Sequence, residues 1–188
     1  INAFDKNLDD HLNFDDYMLL RLINYSWKHC STYGPYLTEV AFECSIQLAG
    51  QINTPDKTKL KNIYLWWLKT VPNQSMSHID FSSFSLIAMS VRLYTRIDKA
   101  NENDVTAKSF EIALDEGTLP PRYNQDIINN FFALVQRNGR DDSGIDVLTF
   151  IFYDFHLRTF SNFAKARPFF MNNTEFIYAT QSIYFPNM

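Results

Sequence analysis

Large apolar residues recur at helical spacing through most of the chain. In residues 17–29, Leu19, Leu20, Leu22, Ile23 and Trp27 mark one face of a helix. Residues 65–71 (Leu65, Trp66, Trp67, Leu68, Val71) and 131–135 (Phe131, Phe132, Leu134, Val135) are apolar runs of the same kind, and residues 84–94 and 150–160 continue the pattern. Each carries three or four large apolar side chains per two turns, enough for a broad buried stripe. Polar breaks separate the stripes at residues 50–59, 98–104, 116–121 and 138–144. The Pro120-Pro121 step must end a helix, because proline lacks an N–H donor and restricts the residue before it. The pattern predicts packed helices joined by short connections.

A second pattern sits between the helices. An aliphatic residue or methionine is followed five positions later by an aromatic one: Leu12 and Tyr17, Leu37 and Phe42, Ile79 and Phe84, Val105 and Phe110, Ile145 and Phe150, Met171 and Phe176. The aromatic members are separated by 25 residues from Tyr17 to Phe42, and by 26 from Phe84 to Phe110 and from Phe150 to Phe176. Tyr17, Phe84 and Phe150 follow one another at intervals of 67 and 66. A period seen three times is hard to obtain by chance, so three repeats are expected, 1–55, 56–121 and 122–188. The two members of each repeat are expected to form a pair.

Residues 5–16 add chemistry to the first member. Oxygen-bearing side chains fall at positions 1, 3, 5, 9 and 12 of a twelve-residue loop (Asp5, Asn7, Asp9, Asn13, Asp16), with Leu12 at position 8. Ile1 and Phe4 precede it with the spacing of an entering helix. On these residues the chain resembles the EF-hand superfamily. The resemblance implies an all-α array of paired helix–loop–helix units with very short β links between loops. It also implies Ca2+ or Mg2+ at the first loop, held by Asp5, Asn7, Asp9, the His11 carbonyl, Asn13 through water, and Asp16. Asp16 stands where a longer glutamate normally completes the shell, which weakens affinity and selectivity. Asp10 occupies the position usually given to glycine for its positive φ, at a cost of about 1 kcal/mol.

The other members have lost ligands. With Ile79 at position 8, the ligand positions hold Pro72, Gln74, Met76 and Ser83, with no carboxylate among them. With Ile145 there, they hold Asn138, Arg140, Asp142, Asp146 and Thr149, although a loop beginning at Gln136 and two residues longer suits the preceding helix better. The units around Leu37, Val105 and Met171 are read as hands whose loops have been cut down. Alternating ligand-type and cut-down hands are distantly similar to the mitochondrial calcium-uptake regulators, and residues 110–160 to the penta-EF-hand proteins.

Composition agrees with packed helices: 46% of the 188 residues are hydrophobic, 17 are Phe, 10 Tyr and 3 Trp, and only 5 are Gly. A net charge of −4 gives no basic footprint, which argues against nucleic acid or anionic membranes as partners. The longest uncharged apolar run, residues 81–91, contains four serines and is too short to cross a bilayer. Cys30 and Cys44 lack the spacing of a zinc or redox site and are expected as two partly buried thiols in a reducing compartment. Neither a phosphate-binding glycine loop nor a nucleophile elbow is present, and His11, His29, His78 and His156 lack metal-ligand helical spacing. Asn24, Asn73 and Asn172 begin glycosylation sequons, a short motif that carries little weight in an asparagine-rich chain.

The expectation is therefore a non-catalytic EF-hand-like scaffold, an accessory subunit of a larger protein complex with at most one divalent-ion site. Its contacts would be protein subunits, reached through apolar grooves and the tail residues Tyr178, Ile183, Tyr184 and Phe185. The rival is a calcium-sensing regulator whose first hand switches conformation. The start at Ile1, without Met or a signal-like segment, adds the expectation of an intracellular, mitochondrial location after presequence removal.

Overall fold

A computed structural model describes residues 14–31, 34, 36–50, 57–70, 78–98, 104–137 and 144–163. Among them the chain is all-α apart from two-residue strands. The elements are α1 (Phe14–Cys30), β1 (Tyr36–Leu37), α2 (Glu39–Gly50), α3 (Lys57–Thr70), β2 (Ile79–Asp80), α4 (Phe81–Ile97), α5 (Ala107–Asp115), α6 (Gln125–Arg137) and α7 (Val147–Phe163). The first member of the candidate metal loop lies outside this set. Asp5, Asn7, Asp9, His11 and Asn13 fall in residues 1–13, and of Asp16 only its place in the first turn of α1 is described. The tail residues Tyr178, Ile183, Tyr184 and Phe185, and the pair Met171 and Phe176, also fall outside it.

The five-residue interval noted in the sequence has a physical meaning in all four described copies. The aliphatic member, Leu37, Ile79, Val105 or Ile145, is wholly buried in a β link. The next residue precedes the following helix and turns its side-chain oxygen onto the helix's unpaired first-turn N–H groups. Asp80 Oδ1 accepts from Ser83 N at 2.8 Å, Thr106 Oγ1 from Ser109 N at 3.2 Å, and Asp146 Oδ1 from Thr149 N at 2.7 Å. Thr38 Oγ1 accepts from Ala41 N at a longer 3.4 Å. The aromatic member then sits one turn into the helix on its inward face. Phe42, Phe84, Phe110 and Phe150 are the four largest side chains with essentially no exposure.

The links pair differently from the expectation drawn on the sequence. β1 and β2 are antiparallel, with Leu37 opposite Ile79 and Tyr36 opposite Asp80. Val105 bridges Ile145 through two reciprocal backbone hydrogen bonds of 3.0 and 2.9 Å. Pairing thus runs across the expected repeat boundaries, from the second member of one repeat to the first member of the next. Ile79 and Val105 cannot pair because α4 lies between them, and its 17 residues separate its ends by about 25 Å.

The same arrangement corrects the reading of cut-down loops. Residues 31–38 separate α1 from α2 and residues 98–106 separate α4 from α5. Residues 138–146, between α6 and α7, form an interval of matching length. The interval before α5 is thus as long as the one before α7, and α4 both leaves the β1–β2 link and leads into the Val105–Ile145 link. α6 also continues through Arg137, which supports a third loop beginning at Asn138 rather than Gln136.

α4 joins two clusters of buried side chains. Phe84, Ile87, Ala88, Met89 and Val91 pack with Ile23, Trp27, Leu37, Phe42, Ile63, Trp67 and Ile79 around the first link. Leu93, Tyr94 and Ile97 pack with Val105, Phe110, Tyr123, Ile128, Phe131, Ile145 and Phe150 around the second. Its serines fit this burial by finding a partner: Ser85 Oγ donates to Phe81 O at 2.7 Å, and Ser90 Oγ gives its one proton to Asp154 Oδ2 at 2.6 Å. Among the described residues no helix is long and apolar enough to cross a membrane.

Cys30 and Cys44 are joined in a disulfide between the end of α1 and the second turn of α2, which corrects the expectation of two thiols. The bond closes a short loop that carries β1. Replacing both cysteines by serine is expected to lower unfolding stability by roughly 3 kcal/mol, read as a lower denaturant midpoint that dithiol treatment of the unaltered chain reproduces. Phe84→Ala should cost about 3–5 kcal/mol in the same measurement, because it empties a fully buried site between α4 and α1.

Candidate functional site

Two places in the described structure concentrate polar chemistry, the β links and the middle of α7. At the links, the EF-hand resemblance can be tested against the residues present. Counting each bridge residue as position 8, position 12 holds Ala41, Ser83, Ser109 and Thr149, and none of these is a carboxylate. The acids at position 9, Asp80 and Asp146, are committed to capping N–H groups. Among the described residues no group of three or more His, Cys, Asp or Glu side chains is placed to hold a metal ion. None of the four described links offers a carboxylate at the position that completes a calcium shell.

What the links hold instead is a neutral internal bond. Tyr64 OH donates to Leu37 O at 3.3 Å in the first link, and Tyr94 OH donates to Ile145 O at 3.0 Å in the second. Both hydroxyls have a raised pKa. For Tyr64 the causes are burial and then Glu39; for Tyr94 they are burial and then the negative charges of Asp104, Asp98 and Asp146. The second link is also tight. Gly144 has φ +133°, and a Cβ there would lie 2.8 Å from Asp104 Cβ, so glycine is needed for the two loops to approach.

The other centre was not singled out in the sequence. Asp154 on α7 is wholly buried and accepts five hydrogen bonds. Oδ1 takes Arg122 Nε at 3.2 Å, Arg122 Nη2 at 3.0 Å and Tyr123 OH at 2.8 Å. Oδ2 takes Ser90 Oγ at 2.6 Å and Arg158 Nε at 2.7 Å. One carboxylate therefore ties α4, α7 and the connection between α5 and α6. Burial alone would raise its pKa. The Arg158 and Arg122 charges and the Ser90 and Arg158 hydrogen bonds outweigh that and hold it well below the usual carboxylate range. Tyr123 is pushed the other way, by burial and by Asp154, and stays neutral.

The remaining candidates stand apart. His29 is exposed and stacked on Tyr25, His78 lies by Tyr36, and His156 is half-buried against Phe152 and Phe155, where burial lowers its pKa. The helices do not bring these three histidines together. Asn24 is half-buried in α1, and Ser26 of its sequon is wholly buried and donates to Leu22 O. Apolar surface is concentrated on α1, where Phe14, Met18 and Tyr25 are exposed along one side, and at Phe152, which meets the half-buried Trp66. Comparison of the chain with protein-family models, with curated proteins and with solved structures finds no match.

Replacing Asp154 by asparagine should destabilise the fold by roughly 3–5 kcal/mol, since it leaves two largely covered guanidinium groups without their counter-charge. The depressed carboxyl also fixes the sign of an acid effect. Its stabilisation is fully present above the ordinary aspartate range near pH 4 and is withdrawn as pH falls through that range and below. Denaturation midpoints measured from pH 7 downward should fall in the unaltered chain, and fall less steeply in Asp154→Asn.

Proposed function

We propose that this chain is a non-catalytic, EF-hand-like scaffold, an accessory subunit of a larger protein complex that holds at most one divalent ion. The observation that carries the reading is a contrast within each described loop. The bridge residue, the helix cap and the buried phenylalanine are present in all four, while the position that completes a calcium shell is Ala41, Ser83, Ser109 or Thr149. A loop that keeps its packing residues and lacks its ligands is suited to holding helices in place. The disposition of the buried polar groups supports the same reading. Asp154 is saturated by internal donors, and the link tyrosines are neutral and bonded to backbone, so none stands ready for proton transfer.

The first loop, with Asp5, Asn7, Asp9, His11, Asn13 and Asp16, is the place proposed for Ca2+ or Mg2+. The exposed apolar side of α1, with Phe14, Met18 and Tyr25, adjoins that loop in the sequence and is proposed as part of the contact with another protein subunit. The disulfide between Cys30 and Cys44 makes an oxidising compartment part of the proposal, and a mitochondrial location is kept within that limit.

Calorimetric titration with calcium tests the reading. The expected result is at most one site, lost in Asp5→Ala, with no change in helix content or in binding of a hydrophobic dye. Micromolar binding accompanied by newly exposed apolar surface would overturn the static scaffold in favour of a calcium-sensing regulator.

A further inference from the structure

The cluster around Asp154 carries more positive charge than its carboxylate can answer. Arg122 and Arg158 contribute two permanent charges, Asp154 contributes one of opposite sign, and Tyr123 and Ser90 are neutral. Asp154 is also full: three donors reach Oδ1 and two reach Oδ2, against about four lone-pair sites on a carboxylate. Arg122 spends Nε and Nη2 there, and Arg158 spends only Nε. Among the described residues, Arg122 Nη1 and both Nη groups of Arg158 make no hydrogen bond.

Those nitrogens are not sealed in. Both arginine side chains keep 14% of their surface exposed while Asp154 keeps none. The buried polar atoms left without a partner are elsewhere, at Trp67 Nε1 and Arg92 Nε. Burial lowers the pKa of Arg122; the Asp154 charge raises it, the nearby Arg158 charge lowers it again, and the net direction is down. A net positive charge in such a position is costly unless an anion joins it. Each planar guanidinium is fixed at one end by the same carboxylate and keeps N–H donors of the kind that pair with an oxyanion.

We propose that Arg122 and Arg158 together form a binding site for a single oxyanion, a carboxylate or a phosphate, at the solvent edge of the Asp154 cluster. The site is independent of the metal reading, since none of its residues belongs to a loop ligand position. Its ligand would bridge α7 and the connection between α5 and α6, reinforcing the join that Asp154 makes from within.

Isothermal calorimetry on the whole chain tests this, with inorganic phosphate in one arm and acetate in the other, against sodium chloride of matched ionic strength. Saturable one-to-one binding in at least one arm is expected, and the stronger arm distinguishes a phosphate from a carboxylate source. Arg158→Gln should weaken it by about tenfold with helix content unchanged, because a charged hydrogen-bonding partner is removed. Arg158→Lys, which keeps the charge but not the fork, should fall between the two. Absence of binding in both arms of the folded, unaltered chain overturns the proposal, as does equal affinity in Arg158→Gln. Should the glutamine variant fail to fold, Arg158→Lys and the two arms on the unaltered chain decide the matter.

Discussion

Helix sharing is the constraint on which the other features depend. α4 leaves the β1–β2 link at one end and enters the Val105–Ile145 link at the other, so two loop pairs are held about 25 Å apart by one rigid element. A helix used in this way cannot be amphipathic in the ordinary sense. Its first half faces one cluster and its second half the other, and residues around most of its circumference are buried. The serines follow from that demand. Small hydroxylated side chains can be covered by neighbouring helices while bonding a carbonyl one turn back, whereas a charged side chain on the same surface would need a partner.

Much of the fold was legible in the sequence. The spacing from Leu37 to Phe42 and its copies encodes three adjacent roles: a link residue with no exposure, a cap, and a phenylalanine one turn into the helix. What the spacing does not encode is which links face one another. A period of 66 or 67 residues is satisfied equally by pairing within a repeat or across its boundary. Only the length of the helix between Ile79 and Val105 decides, and the apolar run from Phe84 to Tyr94 does not show by itself that the helix continues to Ile97.

The chemistry was less legible than the packing. Cys30 and Cys44 sit fourteen residues apart, a spacing with no meaning until α1 and α2 are known to lie side by side. Asp154 lies inside an aromatic run, residues 150–160, that reads as core. Two signals were available there: an aspartate amid large apolar residues, and an arginine four positions later, where a helix brings the two together. Arg122, which completes the cluster, follows the Pro120-Pro121 break, and nothing in the local sequence ties it to α7. The metal loop was the most legible feature as a motif, and it lies in residues 1–13 and at Asp16, outside the described side chains.

Sharing α4 also has a thermodynamic side. In an array whose units touch only through separate connectors, one unit can open while its neighbour stays folded, and stability is close to a sum over units. Here the residues that close the first cluster and those that close the second belong to consecutive turns of one helix, and Asp154 on α7 bonds Ser90 of that helix. Losing α4 as a whole removes walls from both clusters. The described core should accordingly lose its amide protection as one cooperative block rather than link by link.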